Sequence, residues 1–139
     1  MGGTVSERAR PIPVPDELSR PFYEATKRHE LLLQRCTSCG AHTWAWKGRC
    51  DQCLSGELRW VKSSGRGTLY SYAVVHQLYH PGFAESVPYN VAQVDLDDGL
   101  RIIASVVGCP SSELAIGMPL EVTFEDVSDE LAIPRFRPR

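Results

Sequence analysis

Cys36-Thr37-Ser38-Cys39-Gly40 and Cys50-Asp51-Gln52-Cys53 form two Cys-x-x-Cys pairs separated by ten residues. Four thiolates so arranged can close a tetrahedral zinc site. Each pair makes a tight turn that aims both sulfurs and nearby backbone N–H groups at one point, and Gly40 suits the backbone of such a turn. Two disulfides would need an oxidising compartment. Met1 to Arg10 leads instead into a Pro-rich stretch, unlike the apolar run of a secretory leader. Thioredoxin-like redox chemistry uses a single Cys-x-x-Cys. An iron–sulfur cluster would use the same thiolates, but the compact paired spacing favours zinc. The expectation is one structural zinc ion on Cys36, Cys39, Cys50 and Cys53, with no coordination position for water and therefore no catalytic metal.

Other chemistry is sparse. The chain has no G-x-S-x-G, phosphate loop, dinucleotide glycine pattern or H-E-x-x-H. His29, His42, His76 and His80 are dispersed, and none has a nucleophile or carboxylate at a spacing that fixes a dyad. Asp95, Asp97 and Asp98 suit a hairpin end better than a metal cluster. Cys109, beside Pro110, suits a small packing thiol. No catalytic residue is assigned. The most function-like stretch is the loop Tyr79 to Val87, whose Tyr79, His80 and Phe83 either border a ligand face or fold back on the body. Trp44 and Trp46 alternate with Ala45, which sets both indoles on one side of a small ribbon.

The elements that must position these groups follow from the rest of the chain. With 139 residues, 42% hydrophobic and 23% charged, the sequence fits one domain plus a small module. Its formal net charge is −2, and four thiolates around a divalent ion add two more negative charges. No run reaches the roughly eighteen apolar residues of a membrane helix, so a cytoplasmic protein is expected. Pro11, Pro13 and Pro15 favour an extended arm. Ser19 is a candidate N-cap, Pro21 fits the first turn, and Phe22, Ala25 and His29 share a face, which predicts a helix from about residue 20 to 30. Glu24 and Arg28 stand at i and i+4 in the favourable order.

Leu31 to Arg35 and Thr43 to Lys47 read as ribbon strands, with the module ending at Leu58 to Val61. Beyond it, Gly65-Arg66-Gly67 opens a strand from Thr68 to Leu78. Pro88 to Leu96 and Leu100 to Val107 pair across Asp97-Asp98-Gly99. A short turn follows at Ser111 to Gly117, and Pro119 to Val127 and Leu131 to Phe136 complete the set. That order predicts a five-stranded OB barrel. The fold class is mainly β: arm and helix over 1–30, a rubredoxin-like four-cysteine zinc ribbon over 31–62, and the OB barrel over 63–139.

Several motifs together resemble a known family. They are R-P-I-P-V-P before P-F-Y-E-A at Pro21 to Ala25, the four cysteines, S-G-R-G-T-L-Y-S-Y at Ser64 to Tyr72, P-Y-N-V-A at Pro88 to Ala92, and A-I-G-M-P-L-E-V-T-F at Ala115 to Phe124. The chain resembles the acyl-CoA-associated zinc-ribbon/OB-fold proteins over nearly its whole length. The resemblance implies an accessory subunit in a hetero-oligomer that processes acyl-CoA thioesters. Its partner would be a thiolase-fold aldolase or thiolase, including aldolases that shorten steroid side chains, or alternatively a hot-dog hydratase. The chain alone would then lack turnover. Trp44, Trp46, Tyr79, His80 and Phe83 are the candidate contacts to partner or acyl-CoA. A nucleic-acid module is the competing reading, since ribbon and barrel also occur together there. Against it, Arg101 is the only Lys or Arg between Thr68 and Gly108, and a strand-binding groove needs cations as well as rings.

Overall fold

The computed structural model describes residues 12–44 and 46–139. The first eleven residues of the Pro-rich arm, and Ala45 of the expected return strand, lie outside the described residues. Among the described residues, helix α1 (Arg20–Lys27) precedes β1 (Leu32–Cys36), β2 (His42–Thr43) and β3 (Leu58–Lys62). After these come β4 (Arg66–Val75), β5 (Tyr89–Leu96), β6 (Arg101–Ala104), β7 (Pro119–Asp126) and β8 (Ala132–Pro138). The first three strands form a ribbon in the order β2-β1-β3, and the other five a sheet in the order β6-β5-β4-β7-β8.

The larger sheet curls because of particular residues. Asn90, Ala92, Val94 and Leu96 of β5 are buried in alternation with Val91, Gln93 and Asp95, the period of a strand with one covered face. A Cβ on Gly67 would sit 2.5 Å from the Asp95 carbonyl oxygen, so only glycine lets β4 and β5 approach there. The register slips between Leu69 and Ser71, and such a bulge sharpens the local twist. Closure comes where Phe136 N–H donates to the Ser105 carbonyl at 2.9 Å and Val107 N–H to the Phe136 carbonyl at 2.7 Å. With a 3-10 turn at Ser111–Glu113 between the third and fourth strands, the result is the expected OB barrel.

Helix α1 wedges between ribbon and barrel, burying Phe22, Ala25 and Thr26. The Thr26 hydroxyl accepts from Ala132 N–H at 3.0 Å, which ties the helix to β8. Three details differ from expectation. Ser19 stands at the N-cap position but makes no side-chain capping bond to the helix: Asp16 Oδ1 accepts from Ser19 N–H at 2.8 Å and Ser19 Oγ from Asp16 N–H at 3.0 Å, a reciprocal pair that closes the preceding turn. The helix stops at Lys27, and His29 is left-handed at φ 58°. Arg28 donates to Glu30 Oε1 at 2.9 Å, not to the Glu24 carboxylate, because the chain has left the helix by Glu30.

The core is continuous across the modules. Phe22, with Leu31 and Leu33 at the root of the ribbon, packs into the cluster of Leu69, Val94, Leu120 and Phe136. Ser63 Oγ donates to Asp98 Oδ1 at 2.6 Å and accepts from Gly65 N–H at 3.0 Å, fastening the linker to the β5–β6 hairpin. Asp95 accepts from Arg101 at 2.7 Å. The acidic hairpin end is therefore structural, as its sequence suggests.

Candidate metal centre and partner face

The two knuckles are built alike. Cys36 N–H donates to the Ala41 carbonyl at 2.9 Å and Gly40 N–H to the Cys36 carbonyl at 2.8 Å. In the second knuckle Cys50 N–H donates to the Ser55 carbonyl at 2.8 Å and Leu54 N–H to the Cys50 carbonyl at 3.0 Å. Both turns end left-handed, at Gly40 (φ 79°) and at Leu54 (φ 64°). Only the first uses the residue that suits that conformation.

Their packing brings the four sulfurs together. Cys36 and Cys53 Sγ lie 3.5 Å apart, Cys39 and Cys50 Sγ 3.6 Å apart, and all four sit within 4.8 Å of one another. Tetrahedral zinc with sulfur ligands at about 2.3 Å needs edges of about 3.8 Å, so the donor set fits. The backbone N–H of Cys39 brings the Cys36 thiol down to about 6, and the N–H of Cys53 likewise lowers that of Cys50. The knuckles thus stabilise one thiolate each before any metal enters. For Cys53 the Ser55 N–H favours the thiolate, but its hydrogen bond with Cys36 and desolvation prevail and push it up to about 12. Four thiolates this close require a divalent cation.

The candidate contact residues divide into two groups. Trp44 and Trp46 are not free-standing: Phe22 meets them edge-on at centroid distances of 5.5 and 5.1 Å, and Tyr23 lies 5.3 Å from Trp46. They remain half-buried and line an apolar hollow of about 300 Å³ with Ile103 and Ile133. In the loop, Tyr79 is 74% exposed. Phe83 instead turns inward, 6.1 Å from Tyr89, and His80 Nδ1 accepts from Gly82 N–H at 2.8 Å, fixing the Pro81–Phe83 turn. The two aromatics of the loop therefore part company.

Behind Phe83 opens a cleft of about 480 Å³, with Tyr89, Asn90, Ser105, Cys109 and Ser111 among its walls. Of these, the sequence singles out only Phe83 and Cys109, the latter as a packing thiol. The available signal was Asn90, a polar residue at an inward position of an alternating strand. It is 6% exposed, and its side chain accepts from Val106 N–H at 2.7 Å and donates to the Val106 carbonyl at 2.8 Å.

Fold and site define a class: a four-cysteine zinc ribbon rooted in an OB barrel. Residues 24–59 match the ChsH2 rubredoxin-like zinc ribbon domain, and residues 60–125 the ChsH2 C-terminal OB-fold domain. The chain is 35% identical, over 93% of its length, to a probable enoyl-CoA hydratase alpha subunit of Thermomonospora curvata. It is 34% identical, over 83% of its length, to the 3-oxo-4,17-pregnadiene-20-carboxyl-CoA hydratase alpha subunit of Mycobacterium tuberculosis. It spans only 40% and 39% of those two relatives. A DUF35 domain-containing scaffold protein of Methanocaldococcus jannaschii is 30% identical, over 80% of this chain and 79% of that one. Among solved structures, a chain of the Ltp2-ChsH2(DUF35) aldolase superposes with a TM-score of 0.79 and 34% identity, over 91% of this chain and 98% of that one. The chain belongs to the DUF35 family of ChsH2-type zinc-ribbon/OB-fold proteins, and its ribbon carries one structural zinc ion. No described helix is long and apolar enough to cross a membrane.

Proposed function

We propose that this chain is a non-catalytic accessory subunit of an acyl-CoA-processing complex in the cytoplasm. The observation that carries the reading is the 34% identical, near full-length match to a chain of the Ltp2-ChsH2(DUF35) aldolase. The partner is a thiolase-fold aldolase, which supplies the catalytic groups for retro-aldol cleavage of a steroid side-chain acyl-CoA. This subunit stabilises the aldolase and shapes the acyl-CoA entrance. Its three segments then divide the work: arm and helix (1–30) and ribbon (31–62) dock, while the barrel (63–139) borders the substrate. Cys36, Cys39, Cys50 and Cys53 hold the zinc that fixes the docking end. Trp44, Trp46 and Tyr79 face the partner, with His80 and Phe83 setting the loop that carries Tyr79.

A hydratase partner is the second reading, favoured by the two relatives named as hydratase alpha subunits. Nucleic acid is a poorer fit. Arg101 is ion-paired with Asp95 and lies 3.2 Å above the Tyr70 ring, so the outer sheet offers neither a free cation nor a bare ring there. Co-expression with each candidate partner tests the reading. The chain should co-elute on size exclusion with the aldolase and raise its yield of soluble protein. An aldolase equally soluble and active without it defeats the proposal.

A further inference from the structure

On the barrel, an arginine that stands across from a neighbouring strand meets a carboxylate. Asp95 is the register partner of Arg101 and Glu121 that of Arg137, and the two pairs close at 2.7 and 3.1 Å. The ribbon breaks that pattern. Arg35 of β1 has Arg59 of β3 directly opposite on one side and His42 of β2 on the other, and residues so opposed project from the same face. This is the outer face: Gln34 and Thr43, one position along, are buried, whereas Arg35 and Arg59 are exposed. Among the described residues neither guanidinium has a carboxylate partner. Arg35 Nε reaches the Gly40 carbonyl at 3.5 Å, which holds it to the first knuckle and leaves the other donors of its fork open. Like charges directly opposite destabilise an antiparallel pair, so the row costs the free ribbon stability that an anion laid across it would return.

The setting selects the kind of anion. A small free anion on an open ribbon keeps its water and gains little, whereas a protein surface that covers the row excludes that water and strengthens each pair. Nucleic acid fits less well, because a strand needs rings for its bases. Trp60 belongs to the inner row with Gln34, and exposed Glu57, two residues before Arg59, repels phosphate. Opposed residues such as Arg35 and Arg59 have Cβ atoms about 4.5–5.5 Å apart, close to the roughly 5–6 Å between residues four apart on a helix. We propose that Arg59, Arg35 and His42 form an electrostatic docking strip for the partner enzyme, which lays across it an acidic helix whose carboxylates, one turn apart, take one guanidinium each. The proposal rests on the reading of this chain as an accessory subunit and names the chemistry that its ribbon recognises.

The test has two arms. In the first, the isotope-labelled, zinc-loaded full chain is titrated at low salt with oligo(dT) and with two helical peptides of one composition, their glutamates paired either four or two residues apart. The side-chain N–H signals of Arg35 and Arg59 are followed by NMR. The four-apart peptide should shift both signals and bind about threefold tighter than its isomer, or more. Equal binding by the isomers, shifts confined to other residues, or tighter binding of oligo(dT) overturns the proposal. In the second arm, Arg35→Gln and Arg59→Gln are compared in the free chain and in the complex co-expressed with the thiolase-fold aldolase. Each removes a like-charge contact, so the free chain should keep its zinc and melt no lower, while affinity for the aldolase falls about tenfold and its salt dependence flattens. An arginine with a merely structural role would lower the melting temperature instead. Unchanged affinity and salt dependence overturn the strip. Failure of the unaltered chain to associate with any partner enzyme sinks the subunit reading, and the peptide arm still decides the strip.

Discussion

The knuckle tip of the ribbon and the barrel are held by different physics. Between residues 36 and 57 the buried, described residues are Cys36, Thr43 and Cys50, which leaves almost no apolar area to offset the cost of ordering the chain. The barrel, by contrast, buries Leu69, Val94, Leu120 and Phe136 together with the ribbon root, Leu31 and Leu33. The boundary between metal-held and core-held structure thus runs through the ribbon rather than beside it. Metal loading should therefore govern the order of the tip, which suits the docking role proposed for Trp44 and Trp46.

The largest effect should come from the metal. Zinc binding in such small lobes contributes on the order of 10 kcal/mol to folding, so Cys39→Ser should lose zinc and disorder residues 36–57 while β4 to β8 persist. Amide hydrogen exchange separates the outcomes, and collapse of protection throughout the barrel would show that the two regions are not distinct. Next is Phe136→Ala at a fully buried position, which should cost about 3–5 kcal/mol. Denaturant unfolding of the zinc-loaded chain should show the barrel midpoint falling, with the zinc content of the folded chain unchanged. Trp46→Ala should weaken association with the partner by about 2 kcal/mol if the indole anchors the interface. Calorimetry on the complex measures it, and an unchanged affinity would remove Trp46 from the contact. The smallest effect is at the second knuckle. Leu54 is 67% exposed and left-handed, a conformation that costs a non-glycine residue roughly 1 kcal/mol. Leu54→Gly should stabilise the tip by about that amount, read as slower zinc release to a chelator.

What could be read from sequence follows the range of the interactions involved. The knuckles were legible because Cys-x-x-Cys turns are local and their ligands are few. The barrel strands were legible because alternation such as that in Asn90 to Leu96 needs no knowledge of the partner strand. The N-cap position of Ser19 was legible too, but not that its hydroxyl turns back to Asp16 instead of into the helix, since only the turn at 17–19 brings those two together. The alternation about Ala45 sets both tryptophans toward one side, and Phe22 meets both there, but that cover lies some two dozen residues earlier in the chain, which no local pattern signals. The cleft was invisible for the same reason: its walls come from the loop before β5, the segment after β6, and strands β7 and β8, assembled only when the barrel closes.

The central claim is that this chain shapes catalysis without performing it. Its most direct test is the cleavage rate of a steroid side-chain acyl-CoA, measured for the zinc-loaded chain, for the thiolase-fold aldolase, and for the co-expressed pair. The account predicts no turnover by the chain and a faster, more selective reaction by the pair than by the aldolase alone. Turnover of a CoA thioester by the purified chain, abolished by changing one of its side chains, would contradict it.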